Sequence, residues 1–172
     1  MTTVQRSLRD EVRLNHRRGR IVLAVDGARD TRGFADGLAD TFAEEGAAVY
    51  RASIGDFRLP PADRASEGAG AIDEATFRRV LLDPFRMGEG AGFQLAAYDP
   101  DRDAPRPAQW VTAPRDAVLI VDGHYLLTRN LRGAWNFSLW LEAPADPSDE
   151  NLVAYIHDTR PKFVATAIVD VA

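Results

Sequence analysis

The stretch that most constrains the fold is Arg20–Leu38, RIVLAVDGARDTRGFADGL. An apolar run, Ile21–Val25, ends in Asp26-Gly27 and crosses a short polar loop. It then enters a pattern that places Phe34, Leu38 and Phe42 on one helical face. An unbroken apolar run bounded by a glycine turn reads as a strand buried on both sides, and such a strand needs helices above and below its sheet. The chain has 172 residues, enough for one domain with a sizeable core.

A strand, a glycine turn and a helix N-terminus can cradle phosphate, but they also open any doubly wound domain. The loop separates the two. A Walker A loop reads G-x-x-x-x-G-K-[ST], with backbone N–H groups around the phosphates, a lysine on the outer ones and a hydroxyl on Mg²⁺. Counting from Gly27, those last three positions hold Arg32, Gly33 and Phe34, and no lysine lies between Gly27 and Phe42. Arg29 and Arg32 supply charge, but a planar fork does not replace a compact ammonium in a tight loop. Two readings stand: a turn without ligand, and residual anion binding at the helix N-terminus around Gly27, Ala28, Arg29, Arg32 and Gly33.

The remaining pattern alternates strand and helix. Val4–Arg17 carries Val4, Leu8, Val12 and Leu14 at helical spacing and is expected to be an amphipathic helix packed on the domain, ended by Gly19. A basic targeting or nucleic-acid arm is the other reading of that segment. A helix over Gly33–Glu45, a strand over Ala47–Ile54, and a Pro- and Gly-rich loop, RLPPADRASEGAGA, follow. Asp73–Leu82 reads as a helix stopped by Asp83-Pro84. Gly92–Tyr98 and Gln109–Ala113 read as a hairpin. Ala117–Val121 is the most hydrophobic strand and is expected to be central, with a short helix over Leu126–Leu131 after it. Phe137–Leu141 is a strand, Asp149–His157 a helix capped by Ser148, and Phe163–Val171 a final strand. The expected fold is a three-layer α/β/α sandwich on a mainly parallel sheet, with residues 1–19 as the packed helix and 20–172 as one domain.

Composition closes off several chemistries. There is no cysteine, so disulfides, zinc thiolates and cysteine nucleophiles are excluded. His16, His124 and His157 are too scattered to point to a metal site. The net charge of −5 argues against a nucleic-acid backbone as main partner. No apolar run reaches the length of a membrane span, and the N-terminus lacks the apolar core of a signal peptide, so a cytoplasmic location is expected.

The order of landmarks resembles the uridine-kinase-like P-loop kinases over about Arg20 to Val171. The pieces are VDG with FADGLA, RASIGDF at Arg51–Phe57, DEATFRRVLLDPF at Asp73–Phe85, AAYDPDRD at Ala96–Asp103, APRDAVLIVDGHYLL at Ala113–Leu127, and LRGAWNFSLWLEAP at Leu131–Pro144. The resemblance implies a P-loop NTPase-like fold, ATP and Mg²⁺ as cofactors, and γ-phosphoryl transfer to a nucleoside or small-molecule hydroxyl. It implies acceptor binding near Asp63 and Arg64 in the long loop, and His124 and Tyr125, at a strand end, are further substrate-binding candidates from their position.

Several positions depart from the family. FADGLA sits about two residues too close to Gly27. The hydroxyl-orienting aspartate falls on Gly55, with Asp56 beside it, while the acidic residue after the hydrophobic strand is kept as Asp122. The arginine-bearing lid is replaced by PADPSDENLVAYIHD, and no lysine or arginine lies between Arg132 and Arg160. The reading is a kinase-like frame that has lost phosphotransferase activity and serves as a binding or regulatory protein, with a nucleotide or nucleoside as ligand and a homodimer as a candidate assembly. One alternative is an active kinase using Arg29 or Arg32 with Asp56 and Asp122. Another is a hydrolase built on His124 with one of those carboxylates. Trp110, Trp135 and Trp140 are expected to pack rather than to stack on a ligand.

Overall fold

The computed structural model describes residues 2–64 and 68–171. Residues 65–67 of the Pro- and Gly-rich loop lie outside them, as do positions 1 and 172.

Helix α1, Thr2–Asn15, precedes strand β1, Ile21–Gly27, and helix α2, Arg32–Ala43. Strand β2, Ala48–Ser53, ends in a 3₁₀ turn over Ile54–Phe57. After the loop come α3, Glu74–Phe77, a π-turn over Arg78–Leu82, and α4, Asp83–Met87. A small hairpin pairs β3, Tyr98–Asp99, with β4, Ala104–Pro105. Strands β5, Ala117–Asp122, and β6, Phe137–Glu142, are followed by α5, Glu150–Thr159, α6, Pro161–Val164, and β7, Ala167–Asp170. The five long strands are parallel, in the order β2-β5-β1-β6-β7.

Period-two alternation divides the core between the two faces of this sheet. Val22, Ala24, Leu119 and Val121 pack under Phe77, Leu81, Phe85 and Phe93. Ile21, Leu23, Val25, Val118 and Ile120 pack under α1 and α2 through Leu8, Val12, Phe34, Leu38 and Phe42. This is the expected α/β/α arrangement with a parallel sheet.

Several expected boundaries move, each for a local reason. β5 is buried along its whole length but stands beside the middle strand, which is β1. Strong hydrophobicity reports burial on two faces, and every interior strand has that. Asp83-Pro84 does not stop the helix. The wide π-turn at Arg78–Leu82 removes the i−4 carbonyl clash that the proline ring would otherwise make, and Pro84 opens the next α-segment. Leu126–Leu131 forms a succession of turns, followed by a 3₁₀ turn at Arg132–Ala134, rather than a helix. Helix α5 is capped by Asp149, whose carboxylate accepts from the Leu152 N–H at 2.9 Å, and not by Ser148. The last strand begins at Ala167, because Pro161 starts a helical turn that leaves Phe163 85% exposed.

The long expected hairpin closes in two pieces, at β3–β4 and at the Phe93–Val111 bridge. Trp140 is buried, Trp135 donates its indole N–H to Leu126 O, and Trp110 is 59% exposed. On α1 the buried face is Gln5, Leu8 and Val12, while Val4 and Leu14 face out. Gln5 donates to Phe34 O at 2.9 Å, and Gly37 leaves it room.

Candidate functional site

A cleft of about 590 Å³ opens at the carboxyl ends of β1, β2 and β5. Ligands bind in this position in open α/β sheets. Its walls are the Arg29–Arg32 loop, Ser53–Gly55 after β2, Gly123–Tyr125 after β5, and Asp149 with Asn151 at the start of α5. A smaller cavity of about 160 Å³ adjoins it, with Asp56, Arg32, Asp36 and Arg51 on its wall, and Asp122 borders both.

Three of the backbone donors along the β1–α2 connection face the protein itself. The Gly27 N–H donates to Asp26 Oδ1 at 2.8 Å and the Ala28 N–H to Leu141 O at 3.3 Å. The Arg32 N–H, at the first residue of α2, donates to Asp30 Oδ1 at 3.0 Å. A carboxylate therefore already sits against the positive end of the helix. Gly27 is needed for packing: a Cβ there would come within 2.8 Å of Leu141 Cβ and 3.0 Å of Leu141 O. Gly27→Ala is expected to cost about 1–3 kcal/mol in urea unfolding by pushing β1 from β6; a variant as stable as wild type would contradict this. Ala28 is buried with Leu127 and Trp140 rather than on the cleft wall. Gly33 stands in the first turn of α2, where a Cβ would meet Asp30 Oδ2 at 3.2 Å. Arg29 and Arg32 do line the cleft, and Arg29 Nε donates to Pro144 O at 3.0 Å.

The two carboxylates expected to carry chemistry differ in surroundings. Asp122 is buried at the end of β5, with Oδ1 2.9 Å from Arg51 Nη2 and Oδ2 3.4 Å from Thr31 Oγ1. Asp56, half-buried in the 3₁₀ turn after β2, has its pKa raised by desolvation, with Arg106 and Arg32 opposing and Asp122 adding to the rise. Next to the cleft, Asp26 is fully buried and accepts from Tyr155 OH at 2.5 Å and from the Leu127 N–H at 3.1 Å. Burial pushes its pKa up to about 7.

His124 and Tyr125 both line the cleft. His124 Nδ1 lies 2.8 Å from Gly27 O, so that nitrogen is not paired with Asp122 or Asp56. Tyr125 adopts φ +71° and meets the Tyr155 ring edge-to-face at 5.0 Å. Gly123, at φ +133°, lets the chain turn where a Cβ would lie 2.5 Å from Ile54 Cγ2. The long-loop pair stands elsewhere. Asp63 is exposed in a 3₁₀ turn, and Arg64 clasps the hairpin through Tyr98 OH and Asp103 while donating to Leu59 O of its own loop. Neither is on the cleft wall.

No family model matches the sequence, and no curated protein matches it. Solved structures do match. A possible uridine kinase from Bacillus stearothermophilus superposes with a TM-score of 0.73 over 95% of this chain and 100% of its own, at 20% identity. A "putative fructose transport system kinase" from Silicibacter sp. TM1040 superposes with a TM-score of 0.67 over 81% of this chain and 75% of its own, at 24% identity. The fold is that of the P-loop kinases.

A P-loop kinase active in phosphoryl transfer needs converging amides, a cation on the outer phosphates, and Mg²⁺ held by a hydroxyl and an acidic strand-end residue. In this kinase fold the residues present do not fit that group. Asp30 accepts from the first amide of α2, the Gly27 and Ala28 amides are engaged, and Asp122 is ion-paired to Arg51. Among the described residues no group of three or more His, Cys, Asp or Glu stands together as a metal site. The side chains that sequence reasoning passed over are Asp30, Thr31, Asp149 and Asn151 on the cleft wall and Arg51 on the adjoining cavity. Asp30-Thr31 before a helix is a capping signal and was readable. Arg51 meets Asp122 across 71 residues and left no local trace.

Proposed function

We propose that this chain is a kinase-fold protein that does not transfer phosphoryl groups and acts as a binding or regulatory protein. Its cleft takes a nucleoside or a small polar molecule of that size. The observation that carries this is the Asp30 carboxylate on the Arg32 N–H, which sets a negative charge against the first turn of α2, the end of the helix that would otherwise attract phosphate. What remains open to a ligand is mixed in sign, with Arg29, Arg32 and Asp149 on the cleft wall beside the neutral amide of Asn151. Such a surface suits an uncharged, hydroxyl-bearing molecule better than a triphosphate. Among the described residues no helix is long and apolar enough to cross a membrane.

Incubation with Mg-ATP and a panel of nucleosides is expected to form no ADP above background, and calorimetry is expected to detect no magnesium-dependent ATP binding. Clear turnover would overturn the proposal. One observation favours the active alternative: Thr31 Oγ1 and Asp122 Oδ2 stand 3.4 Å apart, a hydroxyl and a carboxylate of the kinds that hold Mg²⁺ in such kinases. On that reading Asp122→Asn abolishes a measurable ATP turnover.

A further inference from the structure

We infer that Arg51 is a built-in counter-ion that occupies the cation position beside Asp122 and keeps divalent metal out of the cleft. This rests on the reading of the site as one without phosphoryl transfer, and it names the residue that decides the metal question.

Arg51 belongs to β2, opposite Ile120 of β5. Its fork is held at three points: Nη2 on Asp122 Oδ1 at 2.9 Å, Nη1 on Ile120 O at 2.8 Å, and Nε on Asp36 Oδ1 at 3.0 Å. The side chain is only 22% exposed, and Asp122 is 4% exposed. A guanidinium anchored this way is a fixed positive charge, because its planar donors match three acceptors set by β5 and α2. Asp122 Oδ2 and Thr31 Oγ1 are hard oxygen donors of the kind Mg²⁺ and Mn²⁺ accept. A divalent ion brought to them would lie next to that charge, held in place by the partly buried Asp122–Arg51 pair, and the two would repel. A lysine lacks the fork and would not hold all three acceptors.

The test uses the whole chain without nucleotide, so its outcome is separate from that of the turnover assay. Wild type, Arg51→Met and Arg51→Met/Asp122→Asn are titrated with Mn²⁺ by electron paramagnetic resonance, with thermal unfolding in parallel. Wild type is expected to hold no Mn²⁺ at Asp122 up to millimolar concentrations. Arg51→Met is expected to bind a single Mn²⁺ with a Kd lower by about a hundredfold or more. Its Tm is expected to rise with Mn²⁺, and the double variant is expected to lose both effects. A purely structural Arg51 would lower Tm in the variant without changing metal uptake.

Folded Arg51→Met that takes up no Mn²⁺ would overturn the inference. So would wild-type uptake that disappears in Asp122→Asn, a result that needs no Arg51 variant to fold. Arg51→Gln, neutral but still able to donate to Ile120 O, gives a second folded background for the same titration.

Discussion

Between pH 5 and pH 8 the Asp26→Asn protein is expected to gain about 3 kcal/mol of stability relative to wild type. The Asp26 carboxyl ionises near 3.8 when exposed to water, whereas in the folded protein burial raises this to about 7. Tyr155, Gly27 and Leu127 donate to the charged form and limit the rise, but desolvation is the larger effect. Between those two values the folded state holds a proton that the unfolded chain has released. Each unit of rising pH in that window therefore withdraws wild-type stability, and the slope vanishes above pH 7 once both states are ionised. Asparagine has no proton to lose, so its curve lacks this slope, whatever constant offset it carries from an amide NH2 placed where Oδ2 accepts from the Leu127 N–H and the Tyr155 hydroxyl. Urea unfolding of both proteins from pH 5 to 8 measures the difference. Parallel curves would mean that Asp26 is ionised in the fold throughout.

The same residue marks how far the sequence could be read. Ile21–Val25 and Ala117–Val121 were legible as strands because both faces are buried, which leaves no polar residue in either run. The ends of those strands then located the cleft, so Asp122, His124, Tyr125, Arg29 and Arg32 were assigned to one region from sequence alone. What was illegible depends on partners far along the chain. Asp26 meets Tyr155 across 129 residues, so a residue that looked like half of a turn is a buried polar node. Gln5 lies outside the apolar spacing of Val4, Leu8 and Val12 on α1, and it is buried because Gly37 allows α2 close to it. Asp63 and Arg64 were placed with the acceptor by the family resemblance, yet Arg64 is drawn to the hairpin by Asp103 and Tyr98. Pro84 carries the strongest local stop signal, and it lost to packing. Leu81, Leu82 and Phe85 are all fully buried, and a π-turn keeps them on the sheet.

Asp122→Ala is expected to destabilise the protein by about 2–3 kcal/mol in urea unfolding, and Asp122→Asn by about 1 kcal/mol. Removing the carboxylate leaves the Arg51 guanidinium largely buried without its main charge partner, while asparagine keeps an acceptor at the same place. The figure stays below that of a fully buried pair because Asp36 and Ile120 O still hold Arg51 and part of its side chain meets water. In a double-mutant cycle, Arg51→Met/Asp122→Ala is expected to lose clearly less than the two single changes added together, because each single change strands the partner that the other removes. A carboxylate kept for a metal or a reacting hydroxyl behaves in the opposite way. Held buried and unpaired it is a cost to the fold, and its removal leaves stability unchanged or raises it. A stable Asp122→Ala protein would therefore return Asp122 to the chemistry of an active kinase. A destabilised one means that this residue, at the position where the fold's chemistry would begin, is engaged in holding β2 to β5.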